Sequence, residues 1–141
     1  MSSPQADFNA QIIEEFRANE GRVGGMFEGN PLLLLHHTGA KSGTSYVNPL
    51  AYQADAGRYV IFASKGGAPV NPGWYYNLKA SPDTTIEVGP DTIAVRAEEA
   101  TGQERDRLFR TQVERIPQFG EYEQSTGGRV IPVMVLTPVA A

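Results

Sequence analysis

Several residue types and sequence features are scarce or missing, and each absence excludes a class of function. Cysteine is absent, so disulfides and thiolate chemistry are excluded. The only two histidines, His36 and His37, are neighbours on a predicted strand and point to opposite faces, so they cannot share a metal ion. No apolar run approaches the roughly 20 residues of a membrane span. The N-terminus also lacks the basic and then apolar segments of a signal peptide, so we predict a cytoplasmic protein without a metal site.

The sequence also lacks the common nucleotide-binding and hydrolase motifs. The segment Gly39-Ala40-Lys41-Ser42 has the wrong residue order for a P-loop, and a strand follows it where a helix is required. There is no G-x-G-x-x-G segment and no G-x-S-x-G nucleophile elbow. No acid–base pair is evident in what remains. The absence of these motifs suits a protein in which a bound cofactor, rather than a side chain, carries out the chemical step.

Length and composition indicate one folded domain over residues 1–141, in which residues 1–25 form an N-terminal helix and its lead-in. Apolar residues make up 40% and charged residues 20% of the 141 residues, as in ordinary globular proteins. The net charge of −4 argues against nucleic acid as the main partner. Residues 36–82 nevertheless carry four basic side chains against Asp55 alone, a net of +3. This middle region therefore predicts a small anionic ligand, or a set of solvated surface cations.

The pattern of apolar residues predicts an α+β fold with a mainly antiparallel sheet. A helix is predicted to begin at Ser3-Pro4 and to end near Gly21. It is followed by three strands, a short helix at 73–79, two strands, a helix from Thr101 to about Arg115 and a last strand at 130–136. The segment Phe119–Tyr122 is predicted as a loop. Connections of hairpin length favour antiparallel pairing, so the sheet is expected to close into a small barrel with helices outside.

Two polar, glycine-rich turns, residues 38–44 and 64–67, each follow an apolar strand. Each turn carries one lysine, Lys41 or Lys65, and glycines let the backbone approach a ligand closely. If the two strands end at one edge of the sheet, both lysines can contact one anion. A pair of solvated hairpin turns is the alternative interpretation.

The single tryptophan, Trp74, lies four residues before Leu78 on the short helix, so both side chains share one face. This spacing predicts that Trp74 packs against the sheet. The alternative is that its ring forms the wall of a site for a planar ligand.

The order of these segments resembles the deazaflavin-dependent nitroreductase and F420H2-dependent quinone reductase family of actinobacteria. The resemblance extends from about residue 26 to the strand at 131–133, and it rests on these blocks: Leu32–Leu35, Thr38–Gly43, Asn48–Leu50, Ala63–Gly67 and Pro72–Ala80. It implies a split β-barrel of the flavin-reductase type that binds reduced coenzyme F420. It also implies hydride transfer to a quinone, a nitro compound or another electron-poor acceptor.

The resemblance also implies a role for individual residues. Those implied to bind F420 are Lys41, Ser42, Gly43, Tyr46, Asn48, Pro49, Leu50, Ala51, Phe62, Ala63, Ser64, Lys65, Gly73, Trp74 and Asn77. Within this set, Lys41, Ser42 and Gly43 would contact the phosphate and the oligoglutamate tail. Ser64 and Tyr122 match positions that face the substrate and are the catalytic candidates. Ile116, Phe119 and Tyr122 are the substrate-binding candidates.

Four positions depart from the pattern of the family. Ala40 and Tyr46 stand where relatives commonly carry arginine, which removes two cations from the expected tail site. Ile116 and Phe119 stand where relatives active on bicyclic nitroimidazoles carry tyrosine. The missing hydroxyl groups make quinones the expected acceptors in preference to those nitro compounds.

Two other functions stay open from the sequence. One is an FMN-dependent oxidoreductase on the same barrel, and the other is a non-catalytic protein that binds a cofactor or a lipid. Peripheral membrane contact through the N-terminal helix is a further expectation. The sequence makes no prediction of the oligomeric state.

Overall fold

The computed structural model describes residues 4–19, 21, 32–63, 71–125 and 130–139. Four helices lie in this part of the chain: α1 (Pro4–Ala18), α2 (Gly73–Ala80), α3 (Gly102–Arg115) and α4 (Gln118–Ser125). Seven strands lie in it: β1 (Leu32–Thr38), β2 (Ser45–Ala51), β3 (Gln53–Asp55), β4 (Arg58–Phe62), β5 (Asp83–Val88), β6 (Asp91–Ala100) and β7 (Val133–Pro138).

The strands form one antiparallel sheet that closes on itself. Their order is β2-β1-β5-β6-β7-β4-β3, and every strand pair among the described residues is antiparallel. The two end strands, β2 and β3, are separated in the chain by Tyr52 alone. In a flat sheet they would lie roughly 30 Å apart, which a single residue cannot bridge. The sheet therefore curls into a barrel, and this confirms the predicted fold class.

Alternate side chains of β1 belong to different cores. Leu33 and Leu35 point to the inside of the barrel, where they pack with residues of β4, β5, β6, β7 and α2. Leu32 and Leu34 point outward and pack against Ile12 and Phe16 of α1. A run of four leucines is therefore what a strand covered on both faces requires. A third core lies between the outer face of β4 and β7 and the helices α3 and α4.

A tight hairpin turn joins β3 to β4. Asp55 pairs with Arg58, and the two turn residues, Ala56 and Gly57, both have positive φ angles of 51° and 81°. Two successive residues with positive φ are typical of a type I′ turn, whose twist matches that of the strands. The predicted N-terminal helix, the short helix and the strand pair β5–β6 are likewise confirmed.

Two predictions about local structure are wrong. Phe119–Tyr122 is not a loop but belongs to α4, which packs against α3. The last strand begins at Val133 rather than at Val130, which is exposed. Thr101 precedes α3 with extended backbone angles, but its side chain makes no capping hydrogen bond to the helix. Within the described residues, no helix is long and apolar enough to cross a bilayer.

Candidate functional site

A large cavity lies between the β1–β2 hairpin, the end of β4 and helix α2. Its volume is about 1140 Å³, and its walls are mainly apolar and aromatic, with amide and hydroxyl groups among them. The lining residues are Asn9, His37, Gly39, Ala40, Lys41, Ser42, Tyr46, Asn48, Pro49, Leu50, Phe62, Pro72, Gly73, Trp74, Tyr76 and Asn77. Concave, largely apolar sites with a few polar groups are typical of cofactor binding.

The turn between β1 and β2 forms one wall of this cavity. Gly39 N–H donates to the carbonyl of Thr44 at 2.8 Å, and Gly43 N–H donates to the carbonyl of Gly39 at 2.9 Å. Gly43 has a φ of 72°, which favours glycine, and a Cβ at Gly39 would collide with the hydroxyl of Ser42. Within the described residues, the N–H groups of Lys41 and Ser42 have no partner. These two successive donors suit an anionic group.

His37 connects this turn to the neighbouring elements through side-chain hydrogen bonds. Its Nε2 lies 2.6 Å from Oδ1 of Asn48 on β2, and its Nδ1 lies 3.0 Å from Nδ2 of Asn77 on α2. Oδ1 of Asn77 in turn accepts the N–H of Ala40 at 3.0 Å. Burial lowers the pKa of His37 most, the hydrogen bond to Asn48 raises it by less, and the nearby His36 has a smaller lowering effect. His37 is therefore neutral at neutral pH.

Helix α2 supplies the opposite wall. Pro72 precedes it with an extended backbone, and Trp74 and Leu78 both point down into the barrel core. The predicted packing of Trp74 is therefore confirmed, but Trp74 lines the cavity as well. Tyr76, which is half exposed, also contributes to the lining. The short helix thus presents two aromatic rings and the amide of Asn77 to the cavity.

The charge of the cavity favours an anion. Lys41 is the single cationic lysine or arginine among the described lining residues, and no aspartate or glutamate is among them. The remaining polar groups are neutral amides, hydroxyls and the imidazole of His37. A phosphate or carboxylate can therefore bind near Lys41 without repulsion from the described walls. In the same described part of the chain, no cluster of three potential metal ligands occurs.

Phe62 joins the cavity to the core beneath α3 and α4. Its ring packs edge-on against Phe109, with 6.1 Å between ring centroids, and against Phe119 at 5.7 Å. Phe119 in turn packs against Tyr122 at 5.3 Å. Burial raises the pKa of the Tyr122 hydroxyl, and the charge of Glu121 raises it further. The phenol therefore stays protonated at neutral pH.

Most of the residues expected to bind F420 lie in this one cavity. Its lining includes Lys41, Ser42, Tyr46, Asn48, Pro49, Leu50, Phe62, Gly73, Trp74 and Asn77. Gly43, Ala51 and Ala63 are not part of the lining, and Ala63 is fully buried. Ser64 and Lys65 lie outside the described residues. The substrate candidates Ile116, Phe119 and Tyr122 do not line the cavity; Phe119 and Tyr122 pack behind Phe62.

Sequence reasoning missed several lining residues, of which His37 is the most connected. The sequence alone argues only against a metal-binding role for His37. The alternation of side chains along a strand places it on the same face as Leu33 and Leu35, and this signal points it to the barrel interior. The other lining residues that were not predicted are Asn9, Gly39, Ala40, Pro72 and Tyr76.

Comparison with known proteins gives consistent matches. A family model described as F420H(2)-dependent quinone reductase matches residues 10–138. An F420H(2)-dependent quinone reductase of Mycobacterium tuberculosis strain H37Rv is 42% identical over 125 residues, covering 86% of this chain and 84% of the relative. A solved structure of an F420-H2 dependent reductase is 38% identical, with a TM-score of 0.68 over 75% of this chain and 93% of the other.

A second solved structure, described as a domain-swapped dimer, is 33% identical. Its TM-score is 0.71, and the match covers 95% of this chain and 99% of the other. These matches confirm the resemblance seen in the sequence. The protein belongs to the F420H(2)-dependent quinone reductase family.

Proposed function

We propose that this protein binds reduced F420 in the cavity and transfers hydride from it to a quinone or another electron-poor acceptor. Family membership confirms the predicted enzyme class, an F420-dependent oxidoreductase, and gives no support to the FMN alternative. The observation that carries the assignment of the site is that one cavity contains most of the residues implied by the resemblance. At about 1140 Å³ it is large enough for a cofactor with an extended tail.

The anionic tail is proposed to bind at the β1–β2 turn. Lys41 provides the positive charge there, and the N–H groups of Lys41 and Ser42 provide donors without partners among the described residues. Charge-assisted hydrogen bonds of this kind are about twice as strong as neutral ones. Lys65 is proposed as a second cation and lies outside the described residues.

The planar ring is proposed to lie between the aromatic walls. Trp74 is buried and Phe62 is held by two further rings, so neither wall has to be ordered when the cofactor binds. F420, when bound, supplies the hydride. The protein's own contribution is to hold the ring and the acceptor at a short distance and to exclude water from the apolar part of the cavity.

The acceptor is proposed to bind on the side of Phe62 and α4. Tyr122 is a candidate proton donor because its hydroxyl is protonated at neutral pH. Ser64 is a second candidate. Peripheral membrane contact by α1 stays a prediction, although Ile12 and Phe16 are buried against β1 and so cannot enter a bilayer.

Titration of the purified protein with F420 and with FMN tests the proposal. Trp74 is the only tryptophan, so its fluorescence reports directly on the cavity. We expect F420 to change the Trp74 signal at micromolar or lower concentration and FMN to change it only weakly. Tight binding of FMN without binding of F420 would contradict the proposal. Binding of F420 without reduction of menadione by reduced F420 would indicate a carrier instead.

Lys41→Ala tests the site of the tail in the same assay. The expected loss is about 1.5 kcal/mol of binding free energy, or about tenfold, the lower end for a hydrogen bond to a charged group because Lys41 is exposed. Lys79→Ala is the matched control, since Lys79 is an exposed lysine of α2 that does not line the cavity. Raised salt should weaken binding to wild type more than to Lys41→Ala.

A further inference from the structure

The hydrogen bonds around His37 allow only one tautomer. Ala40 N–H is a donor, so the atom of Asn77 that accepts it must be Oδ1, and the amide group of Asn77 then points Nδ2 at the imidazole. Nδ1 of His37 therefore accepts a hydrogen bond and carries no proton. Nε2 carries the proton and donates it to Oδ1 of Asn48. In the series of hydrogen bonds from Ala40 through Asn77 and His37 to Asn48, each donor therefore faces an acceptor.

Protonation of His37 would break this series. An imidazolium carries hydrogen on both nitrogens, so Nδ1–H would face the N–H groups of Asn77. Rotation of the Asn77 amide would satisfy Nδ1–H but would present Nδ2 to Ala40 N–H. Either arrangement leaves two donors facing each other, because a neutral amide offers one oxygen to two donors. The contact between the β1–β2 turn and α2 is therefore lost when His37 becomes charged.

We propose that His37 is a positioning residue that holds the β1–β2 turn against α2 only in its neutral form, and that F420 affinity consequently falls when His37 is protonated. The consequence for F420 rests on the proposed function. His37 acts through Asn77 and Ala40 on the turn that carries Lys41, and through Asn48 on β2. Both walls of the tail site thus depend on one uncharged imidazole.

The surroundings give the imidazolium no compensating partner among the described residues. Tyr46 of β2 stacks on the ring of His37 at 5.4 Å. Lys41 of the turn and Tyr76 of α2 are the charged or titratable residues of those elements that line the same cavity, and His36 is the neighbour on its own strand. His36 points to the other face, where Glu87 binds it and Arg17. No carboxylate lies in the described lining of the cavity.

The direction of the pH effect follows from these contacts. The pKa of His37 lies below its ordinary value because of burial. Above that pKa the affinity for F420 should not change through His37. Below it, each pH unit should lower the affinity by up to about tenfold, the limit for a single proton that must be released before binding.

The decisive variant is Asn77→Asp. The introduced carboxylate has two oxygens, so one accepts Ala40 N–H and the other accepts Nδ1–H of the imidazolium. In this variant the new carboxylate should raise the pKa of His37, because an opposite charge favours the imidazolium, yet titration of His37 should no longer release the turn. The acid decline in F420 affinity should therefore disappear, as it should in His37→Gln, which has no titratable ring.

Two control variants isolate the effect. His36→Gln removes the neighbouring histidine, which faces away from the cavity, and it should keep the acid decline of the wild type. Asn71→Asp adds the same charge as Asn77→Asp at the residue before Pro72, which lines the cavity, and it should also keep the decline. Any titration of F420 itself is common to all variants and cancels in the comparison.

Nuclear magnetic resonance on the protein without cofactor tests the geometry separately. We expect ¹⁵N shifts of His37 to show the Nε2–H tautomer at neutral pH, and the Ala40 amide resonance to follow the His37 titration in wild type but not in Asn77→Asp. A different tautomer, or an Ala40 resonance that ignores the titration, would overturn the inference even if F420 binds. So would an affinity that rises in acid, because His37 would then bind the anion as a cation. Absence of F420 binding at every pH would refute the proposed function alone, and the Ala40 titration would still decide whether His37 positions the turn.

Discussion

Replacement of Phe62 by leucine tests whether this ring is the link between the cavity and the helices α3 and α4. Phe62 makes two edge-on ring contacts, with Phe109 and with Phe119. Each such pair contributes about 0.5–1.5 kcal/mol beyond the buried area. The two together contribute about 1–3 kcal/mol, and the smaller side chain adds up to about 1.5 kcal/mol for the change of shape in a packed core. The expected loss in the free energy of unfolding is therefore about 1–4.5 kcal/mol.

Phe16→Leu is the matched control for this experiment. Phe16 of α1 is fully buried against β1, and no other ring contacts it within the described part of the chain. Its replacement by leucine should lose only the shape term, about 1.5 kcal/mol or less. Equilibrium unfolding in urea measures the free energy of unfolding of both variants. The comparison is valid if the slope of this free energy against urea concentration is the same as in the wild type. F420 affinity should fall in Phe62→Leu and stay unchanged in Phe16→Leu.

The result that refutes this reasoning is an equal loss in both variants. A difference below about 0.5 kcal/mol lies within the additivity error for independent sites. It would mean that the ring contacts of Phe62 contribute no specific energy and that α4 is held by its other neighbours. A double-mutant cycle of Phe62→Leu with Phe119→Leu then measures the pair directly, with an expected coupling of about 0.5–1.5 kcal/mol.

Two further predictions concern α4 and the β3–β4 turn. Phe119→Tyr should raise kcat/KM for a bicyclic nitroimidazole relative to menadione and leave F420 affinity nearly unchanged, since a hydrogen bond made only in the transition state acts on turnover. An altered F420 affinity with an unchanged substrate ratio would instead assign Phe119 to the cofactor wall. Ala56→Asn should raise the free energy of unfolding by up to about 1 kcal/mol in a urea titration, because asparagine tolerates the positive φ of 51° better than alanine. A loss of stability would show that the turn is not of type I′ in solution.

The barrel could be predicted from the sequence because its strands are marked by local chemistry. The leucine run of β1 identifies a strand buried on both faces, and the short connections between strands, such as the Ala56–Gly57 turn, leave only antiparallel neighbours. The closure of the barrel through Tyr52 could not be predicted in detail. The closure requires the chain to pair with β1 before Tyr52 and with β4 after it. Tyr52 is not a residue type that marks a turn, so the sequence does not show this change of partner.

Helix α4 was missed because its sequence argues against a helix. Gly120 lowers helix propensity, and Pro117 lies just before the segment. In the structure a Cβ at Gly120 would lie 3.4 Å from the side chain of Val113, so the glycine allows α4 to lie close to α3. Tertiary packing, which a single sequence does not reveal, overrides the local preference here.

The site could be predicted in its position but not in its connections. The resemblance of the sequence to its family predicts Lys41, Asn48 and Trp74 as cofactor-binding residues, and all three line the same cavity. The bonds from His37 to Asn48 and Asn77 join β1, β2 and α2, which are distant in the chain. No local pattern marks such a bond, because each partner is an ordinary polar residue until the fold brings it to the others.

The way in which Tyr52 joins the two end strands has a consequence for how the protein opens. In an open sheet an edge hairpin can separate while the remaining strands stay paired, and its amide hydrogens then exchange early. Here β2 and β3 form one continuous segment, so separation of β2 from β1 pulls on the pairing of β3 with β4 at the other end of the sheet. Among the described strands, neither the β1–β2 nor the β3–β4 hairpin can therefore separate on its own. The backbone amides of β1 and β4, which do not pair with each other, should exchange with solvent through the same cooperative opening.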